Sequence, residues 1–366
     1  MAYSALRAGF TPICFDLFAD LDLQAVAQVK PIPLEDYPNK LPELLHGYDR
    51  QIPLMYTGGL ENHPDLLQEL SKQRPVWGYV PKGEGVRSPA FLDALASEDT
   101  FARLEHPTIP PVDGSWLLKP KAGSGGRGIR HWQPGEPIPE SHFLEEYRHG
   151  SSLSALYVAS DYGTQLLGIT RQMTGVPWLH APSIFAYSGS IGLLTLDEAI
   201  QQRLNRISEQ LAEVDPGLRG IFGIDLLVHD DRWFLLEVNP RYTASTEVVE
   251  LTRCIPTLVL HALANGTSIR SSVGMVRYNM VGKAIYFAPF AVRAPELPLS
   301  TSSPFTVPQW ADIPAQGTVI RPGEPVCTIF TTGETELAIE ASLKERAGWL
   351  DTLMNENRVD RLPDQP

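Results

Sequence analysis

Two apolar segments, Ile221–His229 and Arg232–Val238, are separated only by Asp230-Asp231, and that pattern predicts two strands joined by a tight hairpin turn. Acids interrupt both strands: Asp225 in Gly223-Ile224-Asp225-Leu226-Leu227-Val228, and Glu237 in Phe234-Leu235-Leu236-Glu237-Val238-Asn239-Pro240-Arg241. Pairing through that turn places Asp225 and Glu237 across the ladder at similar depth. Alternation along the second strand puts Glu237, Asn239 and Arg241 on one face, with Leu236 and Val238 on the other. Two facing carboxylates repel unless a cation sits between them. With an amide oxygen they make a hard donor set suited to Mg²⁺, which completes its octahedron with water and substrate phosphates. A solvated acidic face, or an ion pair with Arg241, is the plainer alternative, and the apolar setting argues against solvation.

A second segment precedes this hairpin by about a hundred residues: Leu117-Leu118-Lys119-Pro120-Lys121-Ala122-Gly123-Ser124-Gly125-Gly126-Arg127-Gly128-Ile129. Glycine density lets backbone N–H groups approach phosphate oxygens, and successive N–H groups form an anion-binding concavity. Lys119, at the end of the preceding strand, adds a cation at a fixed distance. The residues from Gly123 satisfy G-x-G-x-x-G, but a dinucleotide site requires the loop to open a helix. Here residues 129–132 read as a strand and Pro134-Gly135 follow at once, so a dinucleotide-dependent oxidoreductase fails on context. A Walker A loop fails as well, because Ile129 stands where its Lys belongs. A flexible hairpin tip is the alternative for this loop alone. A third segment, Phe143-Leu144-Glu145-Glu146-Tyr147-Arg148-His149-Gly150, is a commonplace strand end by itself, and its distance from the Gly-rich loop gives it interest.

The rest of the chain bounds the class. Its 366 residues, 43% hydrophobic and 20% charged, suit a soluble globular protein of two or three domains. Thirty Lys and Arg against 43 Asp and Glu give a net charge of −13, which argues against binding nucleic acid through its phosphates. No apolar run approaches the roughly 20 residues needed to span a bilayer, so a membrane protein is not expected. Three scattered cysteines form neither a disulfide framework nor a zinc spacing, and nine histidines show no metal-ligand motif. A cytoplasmic protein is expected.

Residues 1–80 read as short alternating α and β units of a parallel sheet, including a strand over Gln51–Tyr56. The chain opens on a helix without the strand and Gly-rich turn that usually begin such a domain; either that strand is absent or the start has been placed too late. Residues 81–114 read as a linker with a short helix. From 115 to 265 an antiparallel style takes over, and 266–366 returns to short strands before a final helix. Arg171 and Gln172, just past a predicted strand, are candidates for the same cleft as the acids.

Taken together, the three segments resemble the ATP-grasp carboxylate–amine ligases, over about 140 residues from Trp116 to Arg253. The resemblance implies an α/β architecture, α+β in its catalytic part, with the nucleotide held between two α+β subdomains and a truncated parallel domain ahead of them. It implies that Lys119 and the loop of Gly123, Ser124, Gly125, Gly126 and Gly128 hold the ATP phosphates, and that Glu145, Glu146, Tyr147 and Arg148 lie where the family holds adenine. Asp225, Glu237 and Asn239 align with the family's ligands for Mg²⁺, with Mn²⁺ as an alternative. Arg241 aligns with the arginine that meets a substrate carboxylate or acyl phosphate, and is with Lys119 the expected catalytic pair. The sequence departs from the family where a further ATP-contacting lysine often precedes the loop: Val86-Arg87-Ser88-Pro89 offers only Arg87, with Lys82 remote. Ser4–Phe10, Asp16–Asp22 and Pro322–Phe330 also look similar to family members associated with tetrahydromethanopterin- or methanofuran-type cofactors of one-carbon metabolism. The implied partners are a small-molecule carboxylate and an amine, with a homodimer left open. A catalytically inactive ATP-binding protein of the same fold is the alternative.

Overall fold

The computed structural model describes residues 1–82, 85–97, 100–109, 111–112, 115–267, 277–299 and 303–359. Parts of the expected 81–114 linker and of the 266–366 segment therefore lie outside the described residues.

Asp230 and Asp231 have φ of 47° and 60°, the left-handed pair that lets a two-residue turn follow the right-handed twist of its strands. The turn joins Gly220–His229 to Arg232–Asn239 as antiparallel neighbours. Both strands are apolar on both faces because they lie inside a nine-stranded sheet. From one edge its strands are Trp310–Ala311, Pro325–Gly333, Met280–Phe287, Tyr187–Gly192, Gly163–Thr174, Ser151–Ser160, Gly220–His229, Arg232–Asn239 and Ala102–Arg103. Met280–Phe287, Trp310–Ala311 and Pro325–Gly333 thus extend the same sheet that carries the acidic hairpin, while Val292–Arg293 and Val319–Ile320 pair separately.

Helices cover the two faces. In Glu198–Val214 the buried Leu204, Ile207 and Leu211 recur at helical spacing, and the Asp197 side chain caps the first turn by accepting the Ile200 N–H at 2.8 Å. This stripe packs on a face built from Tyr157, Phe222, Ile224 and Leu226. Tyr157 and Phe222 stack with centroids 5.2 Å apart. Truncating one such buried leucine costs about 2–5 kcal/mol. On the opposite face, Thr246–Arg253 and Thr257–Ala264 bury Val249 and Leu258 against Leu156 and Ile221. The C-terminal helix Glu336–Glu356 presents Ile339, Leu343, Ala347, Leu350 and Met354 to the Met280–Phe287 end of the sheet.

A separate antiparallel sheet orders Arg130–His131, Trp116–Pro120 and His142–Glu146 around Leu118, Trp132 and Leu144. It carries the Gly-rich loop between its first two strands in chain order. The N-terminal region holds a two-stranded parallel sheet, Ile13–Asp16 with Gln28–Pro31. The strand expected over Gln51–Tyr56 does not form: Leu54 makes a single parallel bridge to Val76. Pro53 has no N–H to give a ladder, and that limits the segment to one bridge.

Candidate active site

Asp225 and Glu237 are direct partners across the hairpin ladder. The amide of Asn239 stands between them, its Nδ2 donating to Asp225 Oδ2 at 2.9 Å and to Glu237 Oε1 at 3.1 Å. Gln172 Nε2 donates to the other Asp225 oxygen at 3.0 Å. Burial first, and the facing Glu237 next, push the Asp225 carboxyl above its ordinary range. Glu237 is partly exposed; the neighbouring protein also desolvates it, but Arg87 and Lys119 outweigh that and hold its carboxyl below the usual value. One acid is thus kept ionised while its neighbour is destabilised as an anion, a state that an added cation relieves. Among the described residues no three His, Cys, Asp and Glu side chains converge, so the donor set available to a metal is these two carboxylates and the Asn239 amide. That set fits Mg²⁺, which leaves the remaining positions to phosphate and water; binding it requires the amide to present its oxygen.

Arg87, read from sequence only as a stand-in for a lysine, lies at the centre of the site. Its Nη2 donates to Glu237 Oε2 at 3.3 Å and to the Gly123 carbonyl at 3.2 Å, tying this acid to the Gly-rich loop. Its Nη1 donates to Asn62 Oδ1 at 2.6 Å and reaches Glu61 Oε1 at 3.5 Å. Arg241 Nη2 donates to Asn239 Oδ1 at 3.2 Å and its Nε to Glu61 Oε1 at 2.5 Å.

Lys119 Nζ donates to Glu145 Oε1 at 2.7 Å, and the His106 ring meets the other oxygen at 3.0 Å. Burial alone would raise the Glu145 carboxyl; the Lys119 ammonium and His106 outweigh it and hold it at about 2. Glu145 therefore orients Lys119. Glu146 pairs with Arg148, whose guanidinium lies over the Phe234 ring. Tyr147 packs edge-on against His131 and Phe185. These four residues share one segment but face different partners.

The Gly-rich loop rests on the main sheet's side of the molecule. Tyr187 N–H donates to the Gly125 carbonyl at 3.0 Å. Gly126 has φ of 77°, and a Cβ there would stand 1.9 Å from the Phe185 carbonyl oxygen, so only glycine fits. Arg171 departs from expectation. Successive strand residues face opposite ways, so while Gln172 meets Asp225, Arg171 turns to Glu336 and Glu340 of the C-terminal helix at 2.7 and 2.8 Å. A recess of about 230 Å³ opens beside Gln172 at Gly150–Ser152. A larger one, about 520 Å³, lies against Leu153 and Trp233 on the face away from Asp225, and neither acid of the hairpin lines it.

Two antiparallel units bringing a glycine loop, a lysine and a carboxylate pair to one cleft define an ATP-grasp fold. The family model for the ATP-grasp domain matches residues 84–245, and this part of the chain has the ATP-grasp fold. Solved structures agree on the fold. Biotin carboxylase of Campylobacter jejuni, in a βγ-ATP complex, superposes with a TM-score of 0.68 at 14% identity, over 93% of this chain and 86% of that one. The biotin carboxylase domain dimer of Hydrogenobacter thermophilus 2-oxoglutarate carboxylase, in complex with MgADP, ADP and bicarbonate, gives 0.65 at 14% identity, over 93% and 85%. N5-carboxyaminoimidazole ribonucleotide synthetase of Thermotoga maritima gives 0.61 at 12% identity, over 97% and 94%. No curated protein sequence matches the chain. Among the described residues no helix is long and apolar enough to cross a membrane.

Proposed function

We propose that the chain is an ATP-dependent ligase that joins a small-molecule carboxylate to an amine through an acyl phosphate, releasing ADP and phosphate. The observation that carries this reading is the Asp225–Glu237 pair, set across one ladder and tied through Arg87 to the Gly-rich loop. Asp225, Glu237 and Asn239 would hold Mg²⁺, which when bound neutralises charge on the β- and γ-phosphates. Lys119, fixed by Glu145, and the backbone of Gly123–Gly128 cradle the phosphates. Arg241 steadies the substrate carboxylate and then its acyl phosphate, an electrostatic and positioning task. The loop, seated on Phe185–Tyr187, excludes water from an intermediate that would otherwise hydrolyse. No protein nucleophile is required. We further place the enzyme in the cytoplasm and, on the likeness of Ser4–Phe10, Asp16–Asp22 and Pro322–Phe330, in synthesis of a tetrahydromethanopterin- or methanofuran-type cofactor.

The test is ADP formation by the purified chain with MgATP against a panel of carboxylates and amines. ADP release that requires both co-substrates supports the ligase; ATP binding with no turnover on any pair leaves a nucleotide-binding protein without this chemistry.

A further inference from the structure

Glu61 belongs to the N-terminal region, 180 positions before Arg241, and no motif marks it. It sits in the single-turn helix Leu60–Asn62, and its side chain is 2% exposed. One oxygen, Oε1, accepts from Arg241 Nε at 2.5 Å and lies 3.5 Å from Arg87 Nη1. The other, Oε2, is buried with no hydrogen-bond partner among the described residues. An unsatisfied buried carboxylate oxygen is costly, so this group is poorly explained as a device for stability. The backbone beside it completes the arrangement: a Cβ on Gly58 would stand 3.4 Å from the Arg241 guanidinium carbon, so the guanidinium lies flat on a bare stretch of chain. Asn62, the next residue, takes the remaining reach of Arg87.

We infer that Glu61 is a positioning residue for the phosphoryl-transfer site, fixing Arg241 and Arg87 at the angle needed to meet the transferred group. Both guanidiniums converge on one carboxylate from different elements, Arg87 from the segment before Pro89 and Arg241 from the end of the Arg232–Asn239 strand. Their other contacts run to Glu237, Asn239 and the Gly123 carbonyl, the groups assigned to metal and phosphate. A guanidinium is a planar fork whose bidentate use depends on its plane. Holding Nε leaves the plane set by Glu61 and the Gly58 backbone. The N-terminal region therefore contributes to the catalytic geometry without donating a group to the nucleotide. This inference rests on the ligase reading for the identity of the transferred group.

The test uses the full chain and two probes, MgADP alone and MgADP with aluminium fluoride, which mimics a phosphoryl group in flight. Binding of each is measured by calorimetry for the unaltered chain, Glu61→Gln, Glu61→Ala and Gly58→Val. Glu61→Gln keeps an acceptor for Arg241 Nε without the charge, and Gly58→Val displaces Arg241 from an exposed position while leaving Glu61 intact. The expected result is MgADP affinity within about twofold in every chain. The added tightening by aluminium fluoride falls about tenfold or more in Glu61→Ala and Gly58→Val, and less in Glu61→Gln. Full tightening in Glu61→Ala and Gly58→Val overturns the inference, as does tightening absent from the unaltered chain that nonetheless binds MgADP. No MgADP binding by the folded, unaltered chain instead overturns the nucleotide reading beneath it.

Discussion

Glu237 stands opposite Asp225 because Leu236 is left out of the ladder. Counting from the turn, Leu226 pairs with Leu235, so a regular register would set Asp225 against Leu236 and send Glu237 to the other face of the sheet. A β-bulge at this point advances the second strand by one residue and brings the two carboxylates to one face. Arg103 supports the irregularity, its Nη1 donating to the carbonyls of Leu235 at 2.8 Å and Leu236 at 3.2 Å. The acidic pair is therefore a product of register as well as of sequence.

Glu237→Gln keeps the shape of the side chain and removes the charge that Arg87 and a metal would share. ADP formation should fall by about 100-fold or more, the scale of losing one charge-stabilising group in an active site, with the thermal midpoint nearly unchanged. Turnover surviving the change rejects the metal assignment.

Replacing Arg103 by Met should disturb the bulge from outside the cleft. Arg103 touches neither carboxylate, but its Nη2 lies 3.4 Å from His106 Nε2, the partner of Glu145; a loss of Mg²⁺-dependent activity in this variant that His106→Ala does not reproduce would trace to register. Unchanged activity would mean that the ladder holds its bulge without the guanidinium.

Legibility in the sequence followed the range of the interaction concerned. The hairpin, its turn and its acids are local, and alternation along the chain exposes them; the bulge that finally aligns the acids has no such local signal, and its carbonyls are met by Arg103 from another strand. Tyr187–Gly192 escaped a strand reading because Tyr-Ser-Gly-Ser-Ile-Gly lacks apolar alternation. Its glycines answer close neighbours instead: a Cβ at Gly189 would stand 2.2 Å from the Lys283 carbonyl oxygen, and one at Gly192 would stand 2.8 Å from Thr170 Cγ2. Arg171 and Gln172 look equivalent as sequence, and strand alternation admits only one of them to the cleft. Glu61 carries no local signal at all, since its meaning lies in two arginines far along the chain.

Glu145→Gln should loosen Lys119 without emptying the site. An affinity loss for MgADP of about tenfold is expected, equivalent to about 1.4 kcal/mol, while Glu145→Ala should also destabilise the fold by about 3 kcal/mol or more because it further removes the buried oxygens that meet Lys119 and His106 and leaves a void. Calorimetric titration and denaturant unfolding separate the two effects; an unaltered MgADP affinity in Glu145→Gln would show that Lys119 needs no such partner.

Gly126→Ala puts a methyl group into the Phe185 carbonyl and asks a non-glycine residue to hold φ of 77°. The loop should leave its seat, trypsin cleavage after Lys121 or Arg127 should accelerate, and ADP formation should fall about tenfold or more through lost positioning. Cleavage and turnover both at their original rates would contradict the docked loop.

The stability of the fold should depend on pH through His261. Its Nδ1 accepts the Ile221 N–H at 2.9 Å, so the buried ring is neutral, and burial pulls its pKa down to about 4 from an ordinary 6.5. The unfolded chain binds the proton first, so this contribution is complete above about pH 6.5 and is lost as pH falls toward 4, about 3 kcal/mol in all. Denaturant unfolding at pH 7, 5.5 and 4 should show that slope, and His261→Gln should flatten it; equal slopes in both chains would reject the assignment.

The metal role of the Asp225–Glu237 pair is tested by the Mg²⁺ dependence of ATP binding, by calorimetry, in the unaltered chain and in the double variant Asp225→Asn with Glu237→Gln. Mg²⁺ is expected to tighten ATP binding in the first and to have no effect in the second, with both chains folded. Equal Mg²⁺ dependence in the two would contradict that role, because the carboxylate pair would then hold no metal at the phosphates.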